Sequence, residues 1–258
     1  TMKPAMALKP LVFALAALMA VAAQADTSDR HPTPTPTPTT AVVNGASAVI
    51  ADVQVSHDNN ITNNGTLNSA KVDDSIKSTS GNIGANVASG AGNQQDNAAA
   101  IANNDQNFVL GTGAALTSAS QSSYYNKVNN HGTQNGATLN NSVNTTSGNV
   151  GVNVAAGDLN QQKNNLAIAV SGGNLATAGA GATQTSNNLT VVNDLSSVST
   201  HTPWSFGSTT TRVPVSNNSN MTNALKSTSG NVGANVASGV GNQQSNSLSI
   251  SSVSKTAM

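Results

Sequence analysis

The stretch TSGNIGANVA at residues 79–88 decides the fold, because the chain repeats it twice more. It returns as TSGNVGVNVA at 146–155 and as TSGNVGANVA at 228–237. An Asn-Gln-Gln triplet follows each copy at the same distance, and no gap interrupts the match. Internal repeats of this length indicate that one structural unit is stacked several times.

Each copy alternates apolar and polar residues with a period of two, which is the period of a β-strand. A turn-forming segment such as SGAG at 89–92 follows, and the alternation resumes after the Asn-Gln-Gln triplet. We therefore predict an all-β fold, a cross-β fibril built from three imperfect repeats. Each repeat is expected to form a strand-turn-strand rung, and the monomer is expected to be disordered before assembly.

Stacked rungs would align equivalent side chains in columns, with amides on one face and small apolar residues on the other. The predicted polar ladder of the amyloid core consists of Asn82, Asn86, Asn93, Gln94, Gln95, Asn149, Asn153, Asn160, Gln161, Gln162, Asn231, Asn235, Asn242, Gln243 and Gln244. The predicted apolar face consists of Ile83, Ala85, Val87, Ile101, Val150, Val152, Val154, Leu166, Ile168, Val232, Ala234, Val236, Leu248 and Ile250.

The composition excludes several classes of protein. Leu, Ile, Val and Phe make up about a fifth of the residues, near the level at which a chain struggles to form a globular core. Ten Lys plus Arg balance ten Asp, so no net charge keeps copies apart. The absence of a basic cluster argues against nucleic acid as a partner. Asn, Gln, Ser, Thr, Gly and Ala dominate instead, a bias that favours β-assembly.

The N-terminus predicts export. An apolar run at 11–23 follows two Lys and ends in a small-x-small cleavage pattern formed by Ala23 and Ala25. The predicted organisation is a signal peptide at 1–25, a Pro/Thr-rich disordered segment at 26–62, repeats at 63–102, 130–170 and 217–253, linkers at 103–129 and 171–216, and a tail at 254–258. The five aromatic residues after the signal peptide all lie in the linkers, where they either pack locally or join filaments: Phe108, Tyr124, Tyr125, Trp204 and Phe206.

The residue types needed for catalysis occur without a suitable arrangement. The four His are scattered, with no pair at metal-ligand spacing, at His31, His57, His131 and His201. The neighbours Asp73 and Asp74 would point to opposite faces of a strand. There is no Cys, so neither disulfides nor thiolate chemistry is available. We expect no enzyme activity, metal, cofactor or small-molecule substrate.

The charged residues vary between repeats. Where the first repeat has Asp96, the second has Lys163 and the third has Ser245. Asp73 and Asp74 are likewise met by neutral residues in the other repeats. This variation avoids columns of like charge. Because the second repeat carries charges, we expect the first and third to drive growth most strongly.

The motif of residues 79–88 with its following Asn-Gln-Gln resembles the repeats of the Fap functional amyloid family of Pseudomonas. The resemblance covers the signal peptide, all three repeats and the layout of the linkers, and is greatest to the major fibre subunit. It implies a secreted structural subunit that self-assembles into extracellular amyloid fibres supporting the biofilm matrix and cell aggregation. It also implies two partners, a nucleator subunit and an outer-membrane secretion pore. Some members carry a Cys-x-x-Cys motif that this chain lacks.

Two alternatives remain open from the sequence. The chain could be the minor nucleator of the same fibre system. It could instead be a soluble β-solenoid adhesin, which would also use stacked repeats but would need capped ends. The fibre subunit predicts a lag that seeding abolishes, whereas the solenoid predicts a folded monomer.

Overall fold

The computed structural model describes residues 45–104, 112–173, 175–201 and 208–254. All regular secondary structure in these ranges is β-strand. The prediction of an all-β chain made of repeated strand units is confirmed. None of the described residues forms a helix that could cross a membrane.

The strands form three successive layers, which we call rungs 1, 2 and 3. Rung 1 contains β1 (Gly45–His57), β2 (Asn60–Asn64), β3 (Leu67–Asp73), β4 (Ser80–Ser89) and β5 (Gln94–Asn104). Rung 2 contains β6 (Thr112–Tyr124), β7 (Lys127–His131), β8 (Gln134–Asn140), β9 (Ser147–Ala156) and β10 (Gln161–Ser171). Rung 3 contains β11 (Leu175–Asn187), β12 (Thr190–Asp194), β13 (Ser196–His201), β14 (Ser208–Val213), β15 (Ser216–Thr222), β16 (Val232–Ser238) and β17 (Gln243–Val253).

Each strand of rung 2 lies between its counterparts in rungs 1 and 3. The five three-stranded sheets are all parallel, with the orders β1-β6-β11, β2-β7-β12, β3-β8-β15, β4-β9-β16 and β5-β10-β17. Rungs 1 and 2 keep one constant sequence offset in all five sheets, so that Gly45 pairs with Thr112 just as Ser80 pairs with Ser147. Equivalent residues are therefore stacked in register along one axis.

Rung 3 differs from the other two by an inserted hairpin. Paired residues of rungs 2 and 3 are closer in sequence at Thr112 and Leu175 than at Gln161 and Gln243. Rung 3 therefore contains more residues than rung 2 between these two points. The antiparallel hairpin β13-β14 accounts for this insertion. It projects where rung 2 makes only a short turn at Gly132.

The rungs extend beyond the predicted repeats. Strands also occupy 45–62, which we predicted as disordered, and parts of both predicted linkers, at 112–129 and 175–194. These strands pair in register with one another although their sequences share little beyond Ala, Ser, Thr and one aligned Gln. Backbone hydrogen bonds make this pairing, so it needs no common motif. The Pro-Thr stretch at 32–38 lies outside the described residues.

Within each rung the sheets pack face to face, with β1 against β5, β5 against β4 and β4 against β3. A Val-rich core fills the space between the sheets of β3 and β4, including Val150, Val152 and Val154 of rung 2. A second core, made mostly of Ala, fills the space between the sheets of β1 and β5. The layer between β4 and β5 is instead rich in Asn.

Candidate functional site

The structure places all fifteen predicted amides in five columns of three. Ten hydrogen bonds between their side chains join neighbouring rungs, with donor–acceptor distances of 2.7–3.0 Å. The middle members are buried: Asn153, Asn160 and Gln162 are 0% exposed. A buried primary amide can be tolerated only when its donors and acceptor are paired, so the stack itself stabilises each column.

Four of the five columns have the same direction. The amide nitrogen of the later rung donates to the amide oxygen of the earlier one, as when Asn231 donates to Asn149 and Asn149 donates to Asn82. The Gln95 column runs the other way, because Gln95 donates to Gln162 and Gln162 donates to Gln244. A directed column presents N–H groups at one end and C=O groups at the other.

Four further amide columns were not predicted. They are Gln54-Gln121-Gln184, Asn63-Asn130-Asn193, Asn68-Asn135-Asn217 and Asn97-Asn164-Asn246. The last column also bonds sideways to the Asn86 column, since Asn164 donates to Asn153 at 2.9 Å. Its signal was present in the sequence, because its members keep the same spacing between copies as the Asn-Gln-Gln triplets.

The predicted apolar face divides into two groups. The residues on β4, β9 and β16 all belong to the Val-rich core: Ile83, Ala85, Val87, Val150, Val152, Val154, Val232, Ala234 and Val236. The residues on β5, β10 and β17 do not line the Ala core. Ile101, Leu248 and Ile250 are 38–43% exposed, Ile168 is half-buried, and Leu166 is covered on the opposite side of its strand from that core.

The inner face of β5 and β10 carries Ala in place of the predicted Ile and Leu, and β17 carries Ser249 and Ser251 at the equivalent positions. Ala100, Ala102, Ala167 and Ala169 are buried against the sheet of β1. Period-two alternation identifies two faces but does not say which one is inside. The two sheets meet through Ala on both sides, so the larger residues point outward.

The interior contains a column with two charged residues, apart from the buried Asp158, which accepts hydrogen bonds from Asn63 and Ala91. Lys163 is 0% exposed, and its ammonium donates to the Asp96 carboxylate at 2.7 Å. The third member is Ser245. Asp52 on β1 faces the same region; burial raises its pKa, and the nearby Asp96 charge raises it further. The charge variation between repeats thus produces a buried ion pair inside the stack.

Two carboxylates at the surface of rung 1 accept hydrogen bonds from side-chain amides of rung 2. Asn140 donates to Asp73 at 2.7 Å and Asn141 donates to Asp74. Hydrogen bonds from Lys71 and Asn140 lower the pKa of Asp73. A pair of such carboxylates on successive rungs would repel, and the amides of rung 2 avoid this.

The remaining polar and aromatic groups form small surface clusters. Tyr124 and Tyr125 lie near His57 of the neighbouring rung, with ring centroids 6.5 and 5.7 Å away. His57 also contacts Asp58 at 2.8 Å, on the surface. Among the residues that the structure describes, no group of three His or Asp could hold a metal ion. Phe108, Trp204 and Phe206 lie outside the described residues.

Both ends of the stack have open strand edges. The five strands of rung 1 pair only with rung 2, and their counterparts in rung 3 also pair only with rung 2. No described strand covers either edge. An unpaired row of backbone N–H and C=O groups is a template for another chain. The site that this fold offers is therefore a surface for self-association.

Comparison with known proteins gives a family match. Residues 47–253 match the family model described as the functional amyloid protein FapB/FapC family. The chain belongs to the FapB/FapC family. It is 38% identical to the functional amyloid subunit FapC of Pseudomonas aeruginosa PAO1, in an alignment that covers 96% of this chain and 95% of that protein. No solved structure matches the chain.

Membership of the FapB/FapC family confirms the resemblance read from the repeats. The chain is a self-assembling functional amyloid subunit of extracellular fibres, and the role in biofilm follows from the family. This family is structural rather than enzymatic, so the prediction that the chain is not an enzyme is confirmed.

Proposed function

We propose that this chain is the FapC-type fibre subunit, and that copies add head to tail with rung 3 of one copy against rung 1 of the next. The similarity to FapC over nearly the whole of both chains supports the first part. The open, in-register edges at both ends of the stack support the second part. At about 4.8 Å per rung, each copy lengthens the fibre by about 14 Å.

The observation that carries this proposal is the matching of the two ends. The amide columns are directed, and in the column of Asn82, Asn149 and Asn231 rung 1 presents an N–H group outward and rung 3 presents a C=O group outward. Head-to-tail addition would continue these columns through every joint. The fifteen predicted amides would then form the polar ladder of the fibre core.

The free monomer is proposed to be disordered and to fold as it joins a fibre end. The outer strand edges of rungs 1 and 3 pair with no described strand, and the chain has few large apolar residues with which to offset ordering. The route to the surface is proposed to begin with cleavage after Ala25 and to continue through the periplasm and an outer-membrane pore. A nucleator subunit is the second proposed partner.

The test is seeded growth of the chain from Asp26 onward, followed by thioflavin T fluorescence. We expect a lag that preformed fibres abolish, and a monomer without cooperative unfolding. A stably folded, soluble monomer that ignores seeds would refute the proposal and favour the solenoid adhesin. Fibres that appear without a lag and seed a second Fap subunit better than themselves would favour the nucleator.

A further inference from the structure

The ion pair between Asp96 and Lys163 is asymmetric along the stack. Lys163 lies in rung 2, with Asp96 on one side and Ser245 on the other. The side chain of Lys163 is 1% exposed and that of Asp96 is 18% exposed. Asp96 thus has its ion-pair partner in rung 2, on one side, while its other side faces the open edge of rung 1.

One further charged group, Asp52 on β1, lies close enough to interact with Asp96 and Lys163. The residues in register with Asp52 are Ala119 in rung 2 and Ala182 in rung 3, and both are neutral. Rung 1 therefore brings two carboxylates to its open end, whereas the same region of rung 3 presents only Ser245 and Ala182. The raised pKa of Asp52 reflects this crowding of negative charge as well as burial.

The register decides what each carboxylate would meet across a joint. If rung 3 lies against rung 1, Asp96 meets Ser245, Asp73 meets Thr222 and Asp74 meets Asn223. Each of these three carboxylates then faces a hydroxyl or amide, and both can donate hydrogen bonds to it. If rung 1 lay against rung 1, the carboxylates of both copies would lie at the same joint.

Like charges one rung apart repel even in water, and more strongly when they are buried. The exposed Lys77 and Lys226 would be a like pair in the first arrangement, but both can turn into solvent. Asp96 and Asp52 are less free to do so, because the Asp96 side chain is 18% exposed and Asp52 is half-buried.

We propose that the interior column of Asp96, Lys163 and Ser245 selects the joint between copies, with Ser245 of one copy donating to Asp96 of the next. This inference rests on the proposed head-to-tail assembly and specifies its contact. It predicts that a cation at position 245 can replace Lys163, because it would reach Asp96 only across a joint. Inside one chain, positions 96 and 245 are two rungs apart.

The experiment moves the positive charge from rung 2 to rung 3. Three variants are compared with the wild type: Lys163→Ser, the double variant Lys163→Ser with Ser245→Lys, and the control Lys163→Ser with Ser252→Lys. The control carries the same charge on the same strand, but position 252 is in register with Val170 of rung 2 and would face the neutral Asn103 across the joint. The soluble concentration left after seeded growth measures each fibre's stability.

Lys163→Ser alone is expected to raise the residual concentration at least about tenfold, because it leaves an enclosed carboxylate without its partner. The 245 double variant should return to within about threefold of the wild type, whereas the 252 control should remain as poor as the single variant. An unimpaired Lys163→Ser, or a 245 variant no better than the 252 control, would overturn the inference. Failure of the wild type to form fibres would instead refute the proposed function.

Discussion

Replacement of Gly148 by Ala should destabilise the fibre strongly, because the stack leaves no room for a side chain at this position. Gly148 has a φ of +112°, which is unfavourable for Ala. A Cβ here would lie 2.5 Å from the carbonyl oxygen of Gly81 and 3.0 Å from its nitrogen. Both atoms belong to the backbone of the neighbouring rung, so neither can rotate away.

The expected cost follows from two contributions. The strained backbone conformation costs about 1–3 kcal/mol. Opening the gap between rungs 1 and 2 also weakens the backbone hydrogen bonds across it, such as the 2.9 Å bond from Ser147 to Thr79, each worth about 1 kcal/mol. A total of about 3 kcal/mol or more corresponds to about a hundredfold rise in the soluble concentration that coexists with fibres.

The assay is sedimentation of fibres after seeded growth, followed by measurement of the residual soluble chain. Gly136→Ala is the matched control, since Gly136 lies in strand β8 of the same rung and a Cβ there would meet nothing within 4 Å. Ala should be tolerated or mildly favourable at that position. Equal residual concentrations for the two variants would refute the stacking of rung 2 on rung 1.

Three other predictions use the same assay. Asp52→Ala should make fibre stability depend less on pH. Because the pKa of Asp52 is raised, its protonated form favours the stack, and wild-type stability should fall as the pH rises above about 3.8. A variant whose stability changes with pH as steeply as that of the wild type would contradict this. Gln162→Leu should cost about 2–4 kcal/mol, because it removes the partner of Gln95 and Gln244 in a fully buried column, and a neutral result would show that the ladder contributes nothing. Ile168→Thr should change the residual concentration less than about threefold, because this side chain is only half-buried on the outer face, and a loss as large as that of Gln162→Leu would place it in the interior.

The amide columns could be predicted because their spacing is uninterrupted in the repeats. Asn82, Asn86 and the Asn-Gln-Gln triplets keep one offset within each pair of copies, so alignment of the repeats places them in contact. The column of Gln54, Gln121 and Gln184 could not be predicted from the repeats. Gln184 precedes the inserted hairpin, so its spacing in sequence from Gln121 differs from the spacing between the second and third repeats.

The inner and outer faces of β5 could not be assigned from the sequence. Alternation gives two candidate faces, and hydrophobicity favours the one with Ile101 as the interior. The choice depends on the sheet that packs against it, and here β1 presents Ala46 and Ala48, which bring the two sheets close together. Only small residues fit on the facing side. That information lies in a strand distant in the chain and follows no repeat.

The central claim is that one chain supplies three successive rungs of the fibre. Mass per unit length, measured by dark-field electron microscopy of unstained single filaments, tests it most directly. Three rungs per copy predict one chain in about 14 Å of filament. A value of one chain in about 4.8 Å would mean that identical segments of different copies stack on each other, and it would contradict the account.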